Sequence, residues 1–297
     1  MRTQRPPWME RPAWYTQLSK TAVLIVLTIV MLVPFVYVIA VSFSAPADVR
    51  AGGLILFPKH PSLTAYRSIL AGDVVSRAML VSIGITIIGT ALSMAMTILM
   101  AYGLSRTRDV PGSRFILILV LGTMLFGAGV IPNFLLVKEL RLLDTYGSLI
   151  LPGVISAFNL VVVRNFFMNI PRELYDSART DGASELKILL TIVLPLSKAV
   201  IAVISLFYAV AYWNDFFNAM IYLNHTSKWP IQLVLRQFVL EGSPLGEVTS
   251  NTSVAQQPPP QSIQMSIVVL ATAPILVVYP FVQKYFTKGV LTGAIKE

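Results

Sequence analysis

Long runs without a charged side chain limit what this sequence can fold into. The segment between Lys20 and Asp48 is one such run, and the segment between Arg77 and Arg106 is another. Both exceed the roughly 20 residues that a helix needs to cross a hydrocarbon core about 30 Å thick. Charged residues make up only 12% of the chain, whereas soluble proteins average about 25%. The sequence therefore predicts a protein embedded in a membrane.

Further apolar runs indicate six transmembrane helices and an all-α fold. The runs are continuously apolar, whereas the strands of a membrane β-barrel alternate apolar and polar residues. The first run follows Lys20 as in a signal peptide, but it is longer than the roughly 7–15 apolar residues typical of one. We therefore interpret it as an uncleaved span. Residues 1–19 are predicted to form an N-terminal tail and residues 20–297 a six-span domain, with spans at about 20–44, 78–104, 114–137, 146–167, 199–223 and 262–284.

The basic residues are distributed unequally between the two sides of such a domain. Of the 23 Lys and Arg residues, 15 fall on the side that holds both termini and 8 on the other side. Lys and Arg are enriched in cytoplasmic loops, so both termini and the loop at 169–196 are predicted to be cytoplasmic. Basic residues beside the spans also account for the net charge of +9. We therefore expect no binding to nucleic acid.

The sequence lacks the residue patterns of a catalytic or metal centre. It contains no cysteine, and its two histidines, His60 and His225, fall in predicted outer loops. There is no HExxH motif, no P-loop and no pair of carboxylates within a span. We predict neither catalytic nor metal-ligating residues in this chain.

Two spans contain small or helix-breaking residues in informative patterns. Gly89, Ser93 and Thr97 recur every four residues, a spacing that allows close helix approach, either within the chain or against a second membrane subunit. Span three is interrupted by a cluster of glycine, proline and asparagine. Such a helix either bends for packing or lines a pore. The cluster comprises Gly122, Gly127, Gly129, Pro132 and Asn133.

Polar side chains in spans four and five are candidates for a substrate path. Asp215 is an acid within a predicted span, where a charge is costly and suggests function. It lies near the outer end of its span, however, so a structural role remains open. Asn159 either lines a path or bonds a neighbouring helix. The candidate path comprises Asn159, Trp213, Asn214, Asp215 and Asn218.

The predicted cytoplasmic loop at 169–196 carries more charge than a turn requires. Pro171 suits the start of a helix, and Gly182 suits the left-handed residue that ends one, so we predict a helix over about 172–180. Within it, Arg172 and Asp176 are spaced for an ion pair. Leu174 and Ala178 share an apolar face that a groove on a soluble partner could receive. Pro195 predicts that a separate short helix over 184–196 precedes span five. The candidate docking surface comprises Arg172, Glu173, Leu174, Asp176, Ser177, Ala178, Arg179, Asp181, Gly182 and Ala183.

Motifs in this loop resemble the EAA loop of permease subunits of bacterial ABC importers. The usual pattern is Glu-Ala-Ala, then Asp-Gly-Ala, then Ile-x-Leu-Pro. The chain has Asp176-Ser177-Ala178, which departs from the opening, then Asp181-Gly182-Ala183 and Ile192-Val193-Leu194-Pro195. Other segments resemble the carbohydrate-uptake branch and its maltose-transporter-like permeases, closest to those for oligo- or polysaccharides. They are Phe57-Pro58, 63–66, 213–217, 258–266, and 284–290 with Gly293-Ala294.

The resemblance implies the type I ABC importer permease fold, with the EAA loop as the coupling helix that docks into an ATPase. It implies an ABC ATPase dimer that binds ATP and Mg, so that this chain holds no cofactor and is not itself an enzyme. The other implied partners are a second, homologous permease subunit, an extracytoplasmic solute-binding protein, a carbohydrate substrate, and the lipid bilayer of a bacterial inner membrane. The alternatives are an ABC permease for another solute and a stand-alone secondary transporter. A membrane-embedded enzyme would need clustered acids or histidines, which the spans lack.

Overall fold

The computed structural model of the protein describes residues 14–107, 110–241 and 258–293. The regular structure of these residues is helical, apart from an isolated bridge between Ser44 and Pro61. The predicted all-α fold is confirmed. The α-helices are α1 (Trp14–Ser42), α2 (Pro46–Ala51), α3 (Thr64–Ala71), α4 (Asp73–Ser105), α5 (Ser113–Leu125), α6 (Val130–Glu139), α7 (Gly147–Ile150), α8 (Ala157–Met168), α9 (Arg172–Thr180), α10 (Glu185–Ile188), α11 (Leu194–Leu196), α12 (Lys198–Trp213), α13 (Phe216–Tyr222), α14 (Ile231–Glu241) and α15 (Pro260–Gly293).

Three described helices are long and apolar enough to cross a membrane: α1, α4 and the Pro260–Pro280 part of α15. The helices from Glu185 to Trp213 would form a fourth span if they are counted as one bent element. The other predicted spans fall on shorter apolar helices, so the number six stays a prediction. Parts of the predicted termini and outer loop, at 1–13, 242–257 and 294–297, lie outside the described residues.

The chain divides into two compact units. One comprises residues 1–69 and 248–269, and the other comprises 70–247 and 270–297. In the first unit, the chain folds back after α1, where the Tyr66 hydroxyl donates to Ser42 Oγ at 2.9 Å and the rings of Phe43 and Tyr66 lie 5.0 Å apart. Most apolar side chains of α1 are exposed, which suits contact with lipid.

Close packing of α4 against α12 forms the centre of the second unit. A Cβ added at Gly89 would lie 2.8 Å from a ring carbon of Tyr212. One turn further along α4, the Ser93 hydroxyl lies 2.8 Å from the Tyr212 hydroxyl, and Thr97 pairs likewise with Tyr208. The series of small residues therefore packs within the chain, which confirms the first of its two interpretations.

Three of the predicted spans are divided by non-helical backbone. Span three is broken between α5 and α6, where Gly129 has a φ of +82°. Span four is broken over 151–156, which contains Pro152 and Gly153, and span five is broken at 214–215. Proline removes a helical hydrogen bond, and Asp215 caps the helix that restarts after it by accepting from the Asn218 N–H. The breaks therefore follow from the local sequence.

A sharp bend joins the charged loop at 169–196 to span five. The predicted short helix is confirmed as α10, a π-helical turn over Leu189–Val193, and α11. It meets α12 at an angle of 86°. The Ser197 N–H donates to the carbonyls of Val193 at 3.0 Å and Leu194 at 3.2 Å, which satisfies the backbone around Pro195. The bend connects the loop directly to the helix that packs on α4.

Candidate functional site

The helix α9 in the charged loop has the predicted bounds, Arg172–Thr180. Gly182 adopts a φ of +75°, and its N–H donates to the Arg179 carbonyl at 3.0 Å. The Ala183 N–H donates to the Ala178 carbonyl at 2.9 Å. This pair of bonds is the Schellman arrangement that ends a helix on a left-handed residue. The predicted stop at Gly182 is confirmed.

One part of the apolar face of α9 packs against the rest of the chain, and the other part is exposed. Ala178 is buried, whereas Leu174 is 42% exposed. Tyr175 is half-buried, and its hydroxyl donates to the Phe167 carbonyl at 3.4 Å. One side of α9 thus rests on the end of α8. The side chains that remain exposed for a partner are Arg172, Glu173, Leu174, Asp176, Ser177, Arg179 and Asp181.

A polar cluster ties this loop to the end of α4. The Glu185 carboxylate accepts from the Tyr102 hydroxyl at 2.6 Å, from Arg106 Nη1 at 2.8 Å and from Arg179 Nη2 at 3.0 Å. The Arg106 guanidinium carbon lies 4.7 Å from the ring centre of Tyr102 and 4.4 Å from that of Tyr175. We call these five residues the Glu185 anchor. Its three bonds to Glu185 connect the start of α10 to α9 and to the end of α4.

The charges of the Glu185 anchor support one another. Burial raises the pKa of the Glu185 carboxyl, but the bonds from Tyr102 and Arg179 and the charge of Arg106 outweigh it and hold that pKa below its ordinary value. Glu185 is therefore charged at neutral pH. The predicted pair between Arg172 and Asp176 is not among the ion pairs of the described residues. Both residues are exposed, and exposed pairs of this kind are weak.

A cavity of about 560 Å³ lies in the second unit where two helix breaks meet. One break is the 151–156 segment before α8, and the other is the 214–215 segment before α13. We call it the polar cavity. It is lined by Asn133, Ser148, Leu149, Pro152, Gly153, Ser156, Asn159, Tyr208, Ala211, Tyr212, Asn214, Asp215, Asn218 and Tyr222.

Hydrogen bonds fix the aromatic wall of the polar cavity. The Tyr208 hydroxyl accepts from the Ser156 N–H at 2.9 Å while it also bonds Thr97 on α4. The Tyr212 hydroxyl bonds Ser93 and donates to the Ile150 carbonyl at 3.4 Å. The wall is thus attached to α4, and a movement of α4 would displace it.

Four of the five predicted substrate-path residues line the polar cavity, and one does not. Asn214, Asp215 and Asn218 belong to the lining, together with Asn159, which is only 6% exposed. Trp213 lies outside the lining and is buried, where its indole N–H donates to the Ala271 carbonyl at 3.0 Å. The structure therefore gives Trp213 a packing contact with α15.

A second polar cluster joins two loops next to α13. The Asp144 carboxylate accepts from His225 Nδ1 at 2.6 Å, from Lys228 Nζ at 2.6 Å and from the Asn224 N–H at 3.0 Å. The bond from Lys228, followed by those from His225 and Asn224, outweighs burial and holds the pKa of Asp144 well below its ordinary value. Asp144 has a left-handed φ of +57°, which the cluster holds in place.

Comparison with known proteins identifies the family. Residues 93–292 match the family described as binding-protein-dependent transport system inner membrane component. The chain belongs to this family. Its members are permease subunits of ABC transporters, so the predicted family and the inner-membrane location are confirmed.

Relatives match this inner membrane component over nearly its whole length. The chain is 50% identical over 273 residues to the polygalacturonan/rhamnogalacturonan transport system permease protein YtcP of Bacillus subtilis, covering 92% of this chain and 95% of that one. It is 47% identical to Protein LplC of the same species, covering 90% of each chain.

A solved structure confirms the type I permease fold. It is that of a bacterial ABC transporter involved in the import of the acidic polysaccharide alginate. Its TM-score is 0.88 at 30% identity, covering 95% of this chain and 100% of that chain. A likeness of this size over 95% of the chain fixes the fold.

Sequence reasoning missed part of both sites of the permease. Tyr102 and Arg106 lie about 80 positions before Glu185, and no local pattern links them. The tyrosines of the polar cavity, Tyr208, Tyr212 and Tyr222, are absent from the predicted substrate path. The sequence signal for Tyr208 and Tyr212 lies in the small-residue series of α4, because the hydroxyl groups of Ser93 and Thr97 need hydrogen-bond partners.

Proposed function

We propose that this permease imports an acidic oligo- or polysaccharide as one half of an ATP-driven translocation pathway. The relative at 50% identity is named for polygalacturonan and rhamnogalacturonan, and the similar solved structure is described by its import of alginate. Polygalacturonan and alginate are built from sugar acids. The proposed substrate is therefore a chain that contains uronic acid residues.

The proposed coupling element is α9, which docks into one subunit of an ATPase dimer. That dimer binds ATP and Mg, so hydrolysis takes place outside this chain. A second, homologous permease subunit completes the pathway, and a solute-binding protein delivers the substrate at the outer face. The exposed charged rim of α9 supports this proposal, because it offers a small surface that a groove can enclose.

The observation that carries the proposal is the Glu185 anchor. A force on α9 reaches α4 through Arg106 and Tyr102. It also reaches α12 through α10, α11 and the bend at Ser197. Since α4 and α12 carry the tyrosines and their hydroxyl partners, closure of the ATPase would reshape the polar cavity. This is a physical route for alternating access.

Co-purification and uncoupling variants test the proposal. The ATPase should co-purify with the permease. Gly182→Pro should allow ATP hydrolysis but abolish sugar uptake, because proline cannot adopt a positive φ and has no N–H for the Arg179 carbonyl. Asp181→Lys should act likewise by reversing a charge on the exposed surface. Asp73→Lys, the same reversal at the far end of α4, is the control and should keep coupling.

Two results would contradict the proposed function. One is normal uptake in both loop variants, which would exclude a docking role for the loop. The other is solute movement by the purified chain alone, which would identify a secondary transporter. Substrate class is tested with trigalacturonate and maltotriose as competing substrates of the complete transporter. Preference for the neutral maltotriose would reject an acidic substrate.

A further inference from the structure

We infer that the polar cavity is a sugar subsite of this subunit itself, which binds the hydroxyl groups of a sugar unit and repels its carboxylate. The inference rests on the proposed function for the substrate class, but its location and charge follow from the lining of the cavity. The acid groups of a transported uronate chain would then face the opposite wall of the pathway.

The backbone around the cavity supports a binding role. Non-helical backbone is tolerated at membrane depth where it lines a cavity or is enclosed by protein. Spans four and five each lose helical hydrogen bonds at their breaks, and residues from both breaks line the same space. The volume of about 560 Å³ lies within the roughly 300–1,000 Å³ typical of small-molecule sites. Packing alone does not require two breaks at one place.

The side chain of Asn159 gives an independent sign of a ligand. The residue as a whole is 94% buried and lines the cavity. Its backbone N–H donates to Ser156 Oγ at 3.4 Å, whereas its amide makes no hydrogen bond among the described residues and is not one of their fully enclosed polar atoms. Buried amides are normally hydrogen-bonded. A sugar hydroxyl both donates and accepts, so it matches the carbonyl and the NH₂ of this amide.

The negative charge of the cavity determines which groups of a sugar unit it can bind. Asp215 is the acid in the lining, and the described lining residues include no Lys or Arg. Its two carboxylate oxygens accept from the backbone N–H and the side-chain amide of Asn218, at 3.2 Å and 3.0 Å. Each oxygen keeps a further lone pair for a sugar O–H. A uronate carboxylate in the same space would be repelled, because like charges interact strongly away from bulk water.

The first test measures the charge of the cavity without any sugar. The chain contains no cysteine, so Asn133→Cys places a single thiol in the lining, on α6 and away from the break that holds Asp215. In the assembled transporter, with cysteine-free partner subunits, this thiol is reacted with cationic trimethylammonioethyl and anionic sulfonatoethyl methanethiosulfonate. The cationic reagent should react about tenfold faster, and Asp215→Asn should remove most of that preference. At Asn169→Cys, outside the cavity, Asp215→Asn should change nothing.

The second test measures the sugar. Trigalacturonate and its methyl ester carry the same ring hydroxyls but differ in charge. Asn159→Leu should lower uptake of both by about the same factor, roughly tenfold for a lost pair of hydrogen bonds. Asp215→Asn should raise the ratio of acid to ester uptake about tenfold. A purely structural Asp215 would lower both rates and leave their ratio unchanged. The ester should also protect Asn133→Cys from the reagents.

The outcomes separate this inference from the proposed function. If the unmodified transporter takes up neither trisaccharide, the proposed substrate class is wrong. If the reagent preference at Asn133→Cys does not respond to Asp215→Asn, the inference is overturned whatever the transporter moves. It is equally overturned if trisaccharide uptake occurs but Asn159→Leu leaves it at the normal rate.

Discussion

Replacing Glu185 with glutamine should separate ATP hydrolysis from transport. The substitution keeps the size of the side chain and removes the charge that Arg106 and Arg179 share. The glutamine carbonyl can still accept one hydrogen bond, but its NH₂ cannot accept from a guanidinium. We expect α9 to remain a helix, since the backbone bonds that end it at Gly182 and Ala183 are intact, and to lose its fixed position against α4.

The free energy lost in Glu185→Gln depends on how far each partner of the carboxylate is shielded from water. The Arg179 side chain is 40% exposed and that of Glu185 is 53% exposed, so their pair should contribute less than about 1 kcal/mol. The Arg106 side chain is only 11% exposed and stacks on two tyrosine rings, so its pair with Glu185 should contribute about 1–2 kcal/mol. The total loss is about 2 kcal/mol. It changes the equilibrium between the anchored and the released position of α9 by roughly 30-fold.

Double-mutant cycles measure these two terms in the purified transporter. The coupling energy from thermal unfolding should be larger for Arg106→Gln with Glu185→Gln than for Arg179→Gln with Glu185→Gln. In proteoliposomes, Glu185→Gln should lower the sugar transported per ATP several-fold. Glu139→Gln, an exposed acid at the end of α6, is the control. Equal coupling energies, or unchanged transport per ATP, would refute the mechanical role of the Glu185 anchor.

Three further predictions concern single positions. Gly89→Ala places a Cβ 2.8 Å from the Tyr212 ring, which hydrogen bonds hold in place, and should cost about 1–3 kcal/mol of stability, seen as a lower unfolding temperature. Gly182→Ala meets no neighbour within 4 Å but keeps a φ of +75°, so it should cost about 1 kcal/mol and lower transport per ATP only slightly. The pKa of Asp144 is lowered in the folded state. Its stabilising effect is therefore present above the pKa of about 3.9 in the unfolded chain, and it is lost as the pH falls through the pKa of the folded state. The effect of Asp144→Asn on unfolding temperature should therefore persist down to about pH 5 and shrink below about pH 4.

Matched glycines provide the controls for the first two of these. Gly84 lies on the same helix as Gly89 but has no atom within 4 Å of its added Cβ, and Gly103 is likewise unobstructed. Alanine at either should be neutral or stabilising. A loss at Gly84 as large as that at Gly89 would contradict the packing argument. For Asp144, an effect that grows in acid would mean that the assigned direction of its pKa shift is wrong.

The parts of this permease that sequence reasoning predicted well depend on nearby residues. The bounds of α9 follow from Pro171 and Gly182, whose backbone preferences act locally. The short helix before span five follows from Pro195. The family was recognisable because the motifs of the EAA loop lie within about twenty positions of each other.

The parts that were missed depend on distant residues. Glu185 looked like one more charge in a charged loop, and only folding brings Arg106 beside it. Trp213 and Asn214 are neighbours in sequence, yet Trp213 packs against α15 while Asn214 lines the polar cavity. Trp213 ends α12 and Asn214 lies in the break that follows, so a helical periodic pattern does not predict where the two side chains lie. The six-span count and the orientation in the membrane stay predictions.

Labelling of a single cysteine in α9 tests the central claim most directly. Ser177 is exposed, and in this cysteine-free chain Ser177→Cys gives one reactive thiol. We predict that a membrane-impermeant maleimide labels it only after cells are permeabilised, and that the assembled ATPase protects it. Labelling in intact cells, or labelling that the ATPase does not reduce, would contradict the account.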